Sequence, residues 1–323
     1  MTSDKQLTRR GMLVGSAGVV GAVGLGAVAC ASAARTTRRP PTNAGVSLRW
    51  WGNNAWEITF DTTTILIDPW VTRFHTGTYS PEGSDPNTPL SWNPDLVHRC
   101  FPKADTVLLT HGHFDHLTDV PLVAAHTGAT VLGTESHLNM LRALRTTDGV
   151  QAPPDQLATV TGGELYQYPD FTVQVLRSVH SATGKRRQVP FPGTRPGPQP
   201  PAVRTISDLV DGGTLGYFLT IGDRFRIFAL GTGNYIPEVV DGLRPDLAIV
   251  PTGGGSMPDY AKRLLDCLGH PRFVVPTHWD DFDLPLTEPA KDTGGLTTLR
   301  DAVSAASPAT EFILLDHQQQ HTF

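Results

Sequence analysis

LLTHGHFDHLTD, residues 108–119, holds three histidines and two aspartates within nine positions, directly after an apolar run. The whole chain has 12 histidines in 323 residues, so the cluster is a concentrated feature. The run that leads into it, DTVLLT (105–110), reads as a short strand buried on both faces. Imidazole and carboxylate are the usual protein ligands of an ion such as zinc. His-x-His on an extended turn projects His111 and His113 to one side. Asp115 and His116 point the other way as a helix begins, so one loop can serve two neighbouring ions.

The flanking pattern sets the fold class. SLRWW (47–51), AWEITF (55–60) and TTILID (63–68) are strand-like runs separated by Gly-Asn-Asn and Asp-Thr, so the chain opens as a meander. Further strands are expected at ATVLG (129–133), FTVQVLRS (171–178), DLAIV (246–250), RFVVP (272–276) and EFILL (311–315). TLGYFLTIG (214–222) and FRIFALG (225–231) form a pair turning at Asp223. Helical spacing covers 119–127, 135–145, 257–268 and 294–306. Strands first, then strand–helix alternation in two rounds, argue for an α/β domain with two sheets and helices outside.

Two later histidines share the setting of His111. His180 follows FTVQVLRS and His278 follows RFVVPT, both at strand ends, and ligands carried on strand ends converge at one edge of a sheet core. His75, His98, His126, His137, His270, His317 and His321 lack that setting and read as ordinary surface or helix histidines.

With these residues in view, 47–317 resembles a metallo-β-lactamase-fold hydrolase, a four-layer αββα sandwich. The opening RWWGNNAWEITF and ILIDPW are most similar to the branch of ascorbate-6-phosphate lactonases and N-acyl-phosphatidylethanolamine phospholipase D. The resemblance implies one zinc ion on His111, His113 and His180, and a second on Asp115, His116 and His278. Asp68 of LIDP would hydrogen-bond a ligand histidine; the alternative is a turn aspartate before Pro69. A hydroxide held by the metals would attack a carbonyl carbon or phosphorus, with Asp115 holding it and moving a proton.

Two departures stand out. Many members carry Gly-Asp-Thr where this chain reads Gly231-Thr232-Gly233-Asn234, so Thr232 replaces a metal-bridging aspartate. Either Asn234 partly substitutes or no protein group bridges, and the site holds one ion or, as the ligand count favours, two. Asn53-Asn54 stand where the branch usually has a histidine, so the substrate pocket need not match it. Trp279, Asp280 and Asp281, just after His278, are candidates for the pocket wall or for a turn. PTGGGSMPD (251–259) lacks a Walker lysine and reads as a turn at a strand end. No Gly-x-Ser-x-Gly elbow is present, which disfavours a serine nucleophile.

The leading expectation is an exported zinc hydrolase of a small ester, lactone, amide or phosphoester, with a β-lactamase-like amide hydrolase as a variant. A diiron redox protein, or a non-catalytic metal-binding envelope protein, is the alternative from another class. The diiron class usually replaces the second loop histidine with glutamate, whereas this chain keeps His113.

The N-terminus reads as a separate segment. Arg9-Arg10, a Gly- and Ala-rich stretch, and Ala31-Ser32-Ala33 are laid out as a twin-arginine-type signal over 1–33, exported to the envelope, periplasm or medium. Cys30 offers a lipoprotein alternative, and an uncleaved signal would serve as a membrane anchor. Residues 34–46 read as a linker, and 47–323 as one domain with a proline-rich insertion at 188–203. That insertion is either a solvent-exposed excursion or a lid. Removing 1–33 leaves 23 basic and 30 acidic residues, a net charge of −7, with no basic face for nucleic acid. Cys100 and Cys267 are no disulfide framework, though a single bridge is open to them. A small-molecule substrate is the expected partner, and the sequence leaves oligomeric state open.

Overall fold

Leu66, Val107 and Val131 face one another across three adjacent parallel strands, all fully buried. Continuous apolar runs of this kind are what a sheet covered on both faces demands. The computed structural model describes residues 44–182, 188–197, 201–254 and 257–323. The expected signal, Cys30 and most of the linker lie outside the described residues. Pro40–Phe323 form one compact unit.

The first sheet contains β1 (Val46–Trp50), β2 (Trp56–Phe60), β3 (Thr63–Ile67), β4 (Thr106–Leu108), β5 (Thr130–Gly133) and β6 (Leu157–Thr159). The second contains β7 (Leu165–Gln167), β8 (Phe171–Arg177), β9 (Leu215–Ile221), β10 (Phe225–Leu230), β11 (Leu247–Pro251), β12 (Phe273–Thr277) and β13 (Glu311–Phe312). A last strand, β14 (Gln320–Thr322), returns to the first sheet beside β1, giving the order β14-β1-β2-β3-β4-β5-β6. The second sheet runs β13-β12-β11-β10-β9-β8-β7. The opening strands form the expected antiparallel meander, with Val46, Leu48 and Trp50 buried and Ser47 and Arg49 turned outward.

Helices α1 (Pro94–Cys100), α2 (Phe114–Leu117), α3 (Val120–Thr127) and α4 (Glu135–Ala143) belong to the first half, and α5 (Pro237–Val240), α6 (Tyr260–Leu268) and α7 (Leu296–Ala306) to the second. Three apolar clusters define the layers. One joins the sheets face to face, including Leu48, Ile58, Val175, Tyr217 and Ile249. A second holds α3 and α4 on the outer face of the first sheet, through Val123, Leu138 and Leu141 against Val107 and Val131. The third sets α6 and α7 on the second sheet, with Leu264, Leu265 and Leu299 against Phe228, Ala248 and Val274. This is the four-layer α/β sandwich of the metallo-β-lactamase fold.

Several elements carried no apolar signature. β14 is polar and is held by its backbone ladder on the free edge of β1. β6, β7 and α1 are short and mostly half-exposed, and β13 pairs over only two residues of EFILL. Cys100 and Cys267 are free thiols. They belong to opposite outer layers, under the first and second sheets, which excludes a bridge between them. The proline-rich segment is docked rather than free: Arg195 bonds Ser136 and Asn139 of α4 through its backbone N and O, and Val203 is buried. Among the described residues no helix is long and apolar enough to cross a membrane.

Chain direction then places the site. β3 and β4 are parallel, so Asp68 and the His111–His116 loop leave the first sheet at one edge. In the second sheet β8 and β10 are both antiparallel to β9, and β11 and β12 are parallel to β10. His180, Thr232, Thr252 and His278 therefore emerge together, at the C-terminal strand ends where α/β sheets gather their functional groups.

Candidate metal centre

Two sets of side chains converge at this edge. Ligand atoms of His111, His113 and His180 lie within 4.8 Å of one another, and so do those of Asp115, His116 and His278. A third set, Asp68, His111 and His116, overlaps both. Ring centroids of His111, His113 and His180 are 4.6–4.8 Å apart. Asp115 Oδ2 is 3.3 Å from His116 Nε2 and 3.2 Å from His278 Nε2. His113 Nε2 and His116 Nε2 are buried and make no hydrogen bond. Buried polar atoms are rarely left so, and nitrogens meeting at one point are what a cation would satisfy. The residues present therefore fit a pair of divalent ions.

Electrostatics divides the sets. Burial pushes His111 well below the usual imidazole range and His113 down to about 3, with neighbouring histidines adding to the effect; burial also lowers His180. These three imidazoles are neutral and offer lone pairs. In the second set, burial opposes charge, but the carboxylates of Asp115 and Asp68 outweigh it and raise His116 to about 10, so an ion held there would take the place of the Nε2 proton. Burial also opposes ionisation of Asp115, yet His116 and His278 hold it well below the usual carboxylate range.

The supporting groups fix tautomers and angles. Asp68 Oδ2 accepts from His116 Nδ1 at 2.7 Å, leaving Nε2 for the site. The same carboxylate accepts from Thr110 N, Thr110 Oγ1 and Asn54 Nδ2. His180 Nδ1 sits 2.8 Å from Ser181 O, again freeing Nε2. Asn53 Nδ2 donates to Asp115 O at 2.7 Å and to Asp115 Oδ2 at 3.2 Å. Asn53, Asp68 and His278 all have left-handed backbones, with φ of 48°, 42° and 55°. Non-glycine residues held there are strained, and such strain clusters at functional sites.

The remaining sequence candidates separate. Thr232 borders the cavity, but its hydroxyl donates to Val179 O at 3.1 Å. Asn234 is not on the cavity wall and belongs to none of the three ligand sets. Trp279 lies in the core, stacked on Trp50 with centroids 4.9 Å apart, because its ring fills the space between the sheets. Asp280 is buried too, 2.5 Å from Arg73 Nη2 and 2.8 Å from His317 Nε2. The His317 imidazole is thus a buried hydrogen-bond partner of Asp280 rather than a surface group.

The cavity over the two sets measures about 670 Å³. Tyr79, Phe191 and Phe282 line it, and none of them was a sequence candidate. Tyr79 sits on Phe282 with centroids 4.9 Å apart, in a loop strapped down by Asp283, which accepts from Thr76 N, Thr76 Oγ1 and Gly77 N. Phe191 brings the proline-rich segment to the wall beside His113. Thr252, in the strand-end turn expected at PTGGGSMPD, adds a hydroxyl to the rim and bonds His278 O. Among the described residues the wall includes no lysine or arginine; Lys185, Arg186 and Arg187 lie outside them.

Fold and ligand geometry together define a metallo-β-lactamase-type centre. The chain belongs to the β-lactamase superfamily, whose domain profile matches residues 47–278. A Myxococcus xanthus protein named UPF0173 metal-dependent hydrolase is 27% identical over 304 residues, covering 91% of this chain and 90% of that protein. Igni18, a metallo hydrolase of Ignicoccus hospitalis, shares the fold at TM-score 0.52 and 18% identity, over 86% of this chain and 98% of its own. CmlA, a diiron β-hydroxylase of Streptomyces venezuelae, shares it at TM-score 0.52 and 13% identity, over 86% of this chain and 54% of its own.

Proposed function

We propose that this metal-dependent hydrolase of the β-lactamase superfamily is an exported zinc enzyme that cleaves a neutral carbonyl substrate, a small ester, lactone or amide. One observation carries the reading. Two ligand sets converge on a single cavity of about 670 Å³ whose wall carries the apolar rings of Tyr79, Phe191 and Phe282, a lining suited to a neutral organic substrate. A volume of that size suits a small organic molecule. The name of the Myxococcus relative supports hydrolysis.

When bound, a divalent ion supplies an acidified water near neutral pH and polarises the scissile group. The chain's own groups do the rest. His111, His113 and His180 present neutral nitrogens. Asp115, His116 and His278 form the second set, and among the described residues Asp115 is the only carboxylate on the cavity wall, so its carboxylate takes and returns the proton. Asp68 keeps the proton of His116 on Nδ1. Phe191, Phe282 and Tyr79 exclude water around the substrate.

Export rests on the Arg9-Arg10 signal pattern, with cleavage after Ala33, lipidation at Cys30 or an uncleaved anchor as its three forms. Sequencing the N-terminus of the envelope and culture fractions separates them.

A hydrolysis screen of the zinc-loaded protein tests the activity. It pairs a lactone, a β-lactam, a p-nitrophenyl ester and a p-nitrophenyl phosphodiester, each with Asp115→Asn. The reading expects carbonyl hydrolysis and a loss of about 10²-fold in the variant. Preference for the phosphodiester contradicts the substrate class, and equal rates contradict the role of Asp115.

A further inference from the structure

We propose that Asn53 is the positioning residue for the second ion, tying two of its three protein ligands into one rigid unit. The proposal rests on the reading of Asp115, His116 and His278 as that ion's ligands.

Asn53 is fully buried and touches both loops that bring these ligands. Its Nδ2 donates to the backbone oxygen of Asp115 at 2.7 Å and to Oδ2 at 3.2 Å. Oδ2 is the oxygen that faces His116 and His278. Its backbone oxygen accepts from His278 N at 2.9 Å, and from Thr277 Oγ1 and Trp50 Nε1. One residue thus holds the carboxylate of one ligand and the main chain of another.

The amide's orientation follows from its neighbours. Both groups facing Nδ2 are acceptors, so the opposite rotamer would set oxygen against oxygen. Asn53 Oδ1 is buried without a partner, so the side chain is held by its donor end alone.

The residue is itself anchored. Asn53 N donates to Asp280 Oδ1 at 2.8 Å, and Asp280 is clamped by Arg73 and His317. That clamp holds Asn53 at a φ of 48°, a conformation that asparagine tolerates better than most residues. Thr232 spends its hydroxyl on Val179 O and offers no carboxylate. The second ion therefore relies on three protein ligands, and on what keeps them together.

The test is a zinc titration of wild type, Asn53→Gly and Asn53→Ser against a chromophoric chelator, with the absorption spectrum of the cobalt-loaded forms. Glycine accepts the left-handed backbone without strain, and serine is too short to reach Asp115. Wild type is expected to bind two ions. Both variants should keep first-ion affinity, which also reports that they fold, and lose second-ion affinity by about 10- to 100-fold with an altered cobalt spectrum. Wild-type affinities and an unchanged spectrum in either variant overturn the role of Asn53. A single-ion isotherm in wild type overturns the two-ion reading itself, and this proposal with it.

Discussion

His116 Nδ1 and Asp68 Oδ2 are 2.7 Å apart, with both side chains fully buried. The contact joins the end of β3 to α2 and decides which nitrogen of His116 is left for the metal site. Asp68→Asn keeps the shape but sets an amide N–H against groups that already donate. Breaking a buried pair of this kind costs about 3 kcal/mol or more. The expected result is a lower denaturant midpoint and about 10- to 100-fold weaker metal binding, read by urea titration and chelator competition.

Gly231 has a steric role in the same arrangement. A Cβ there would stand 1.8 Å from Thr110 Oγ1 and 2.4 Å from Thr110 Cβ. Thr110 donates to Asp68 through both N and Oγ1, so displacing it loosens the carboxylate that orients His116. Gly231→Ala is expected to destabilise by about 1–3 kcal/mol, the usual scale of overpacking, and to weaken metal binding as well. Wild-type urea and metal titrations of this variant would contradict the account.

His137 sets an acid limit on the fold. Its Nδ1 accepts from Thr134 N at 3.2 Å and its Nε2 donates to Asp211 O at 3.0 Å, so the neutral ring is the one that fits. Burial, partly offset by Asp211, lowers its pKa from 6.5 to about 4. Between those values the unfolded chain holds a proton that the folded chain does not. Stability from this residue is complete above pH 6.5 and is lost as pH falls towards 4. Relative to His137→Gln, wild type should lose on the order of 3 kcal/mol across that window, measured by urea unfolding at pH 7 and pH 4. A pH-independent difference would contradict this.

The fold was legible wherever strands are buried on both faces, as in β4, β11 and β12, because burial writes itself as an apolar run. β14 was not, since a polar edge strand gains its place from a backbone ladder with β1, far away in the chain. The His111–His116 loop was legible because its ligands are compressed into one turn. His180 and His278 could be ranked by their strand-end positions, and the structure brings both to the same cavity. The network of Asn53, Arg73, Asp280 and His317 could not be read, because its members are spread over most of the domain and paired only by folding. Trp279 illustrates the opposite error: proximity in sequence to His278 says nothing about direction, and its ring turns into the core.

The central claim is that two ions, on His111, His113, His180 and on Asp115, His116, His278, carry the activity. Elemental analysis of the purified protein, joined to hydrolysis rates after chelation and zinc return, tests it most directly. The account predicts two zinc ions per chain, loss of activity on chelation, recovery with the second equivalent, and a single ion in His278→Ala. Undiminished hydrolysis by the metal-free protein, or stoichiometric iron with oxygen consumption, would contradict it.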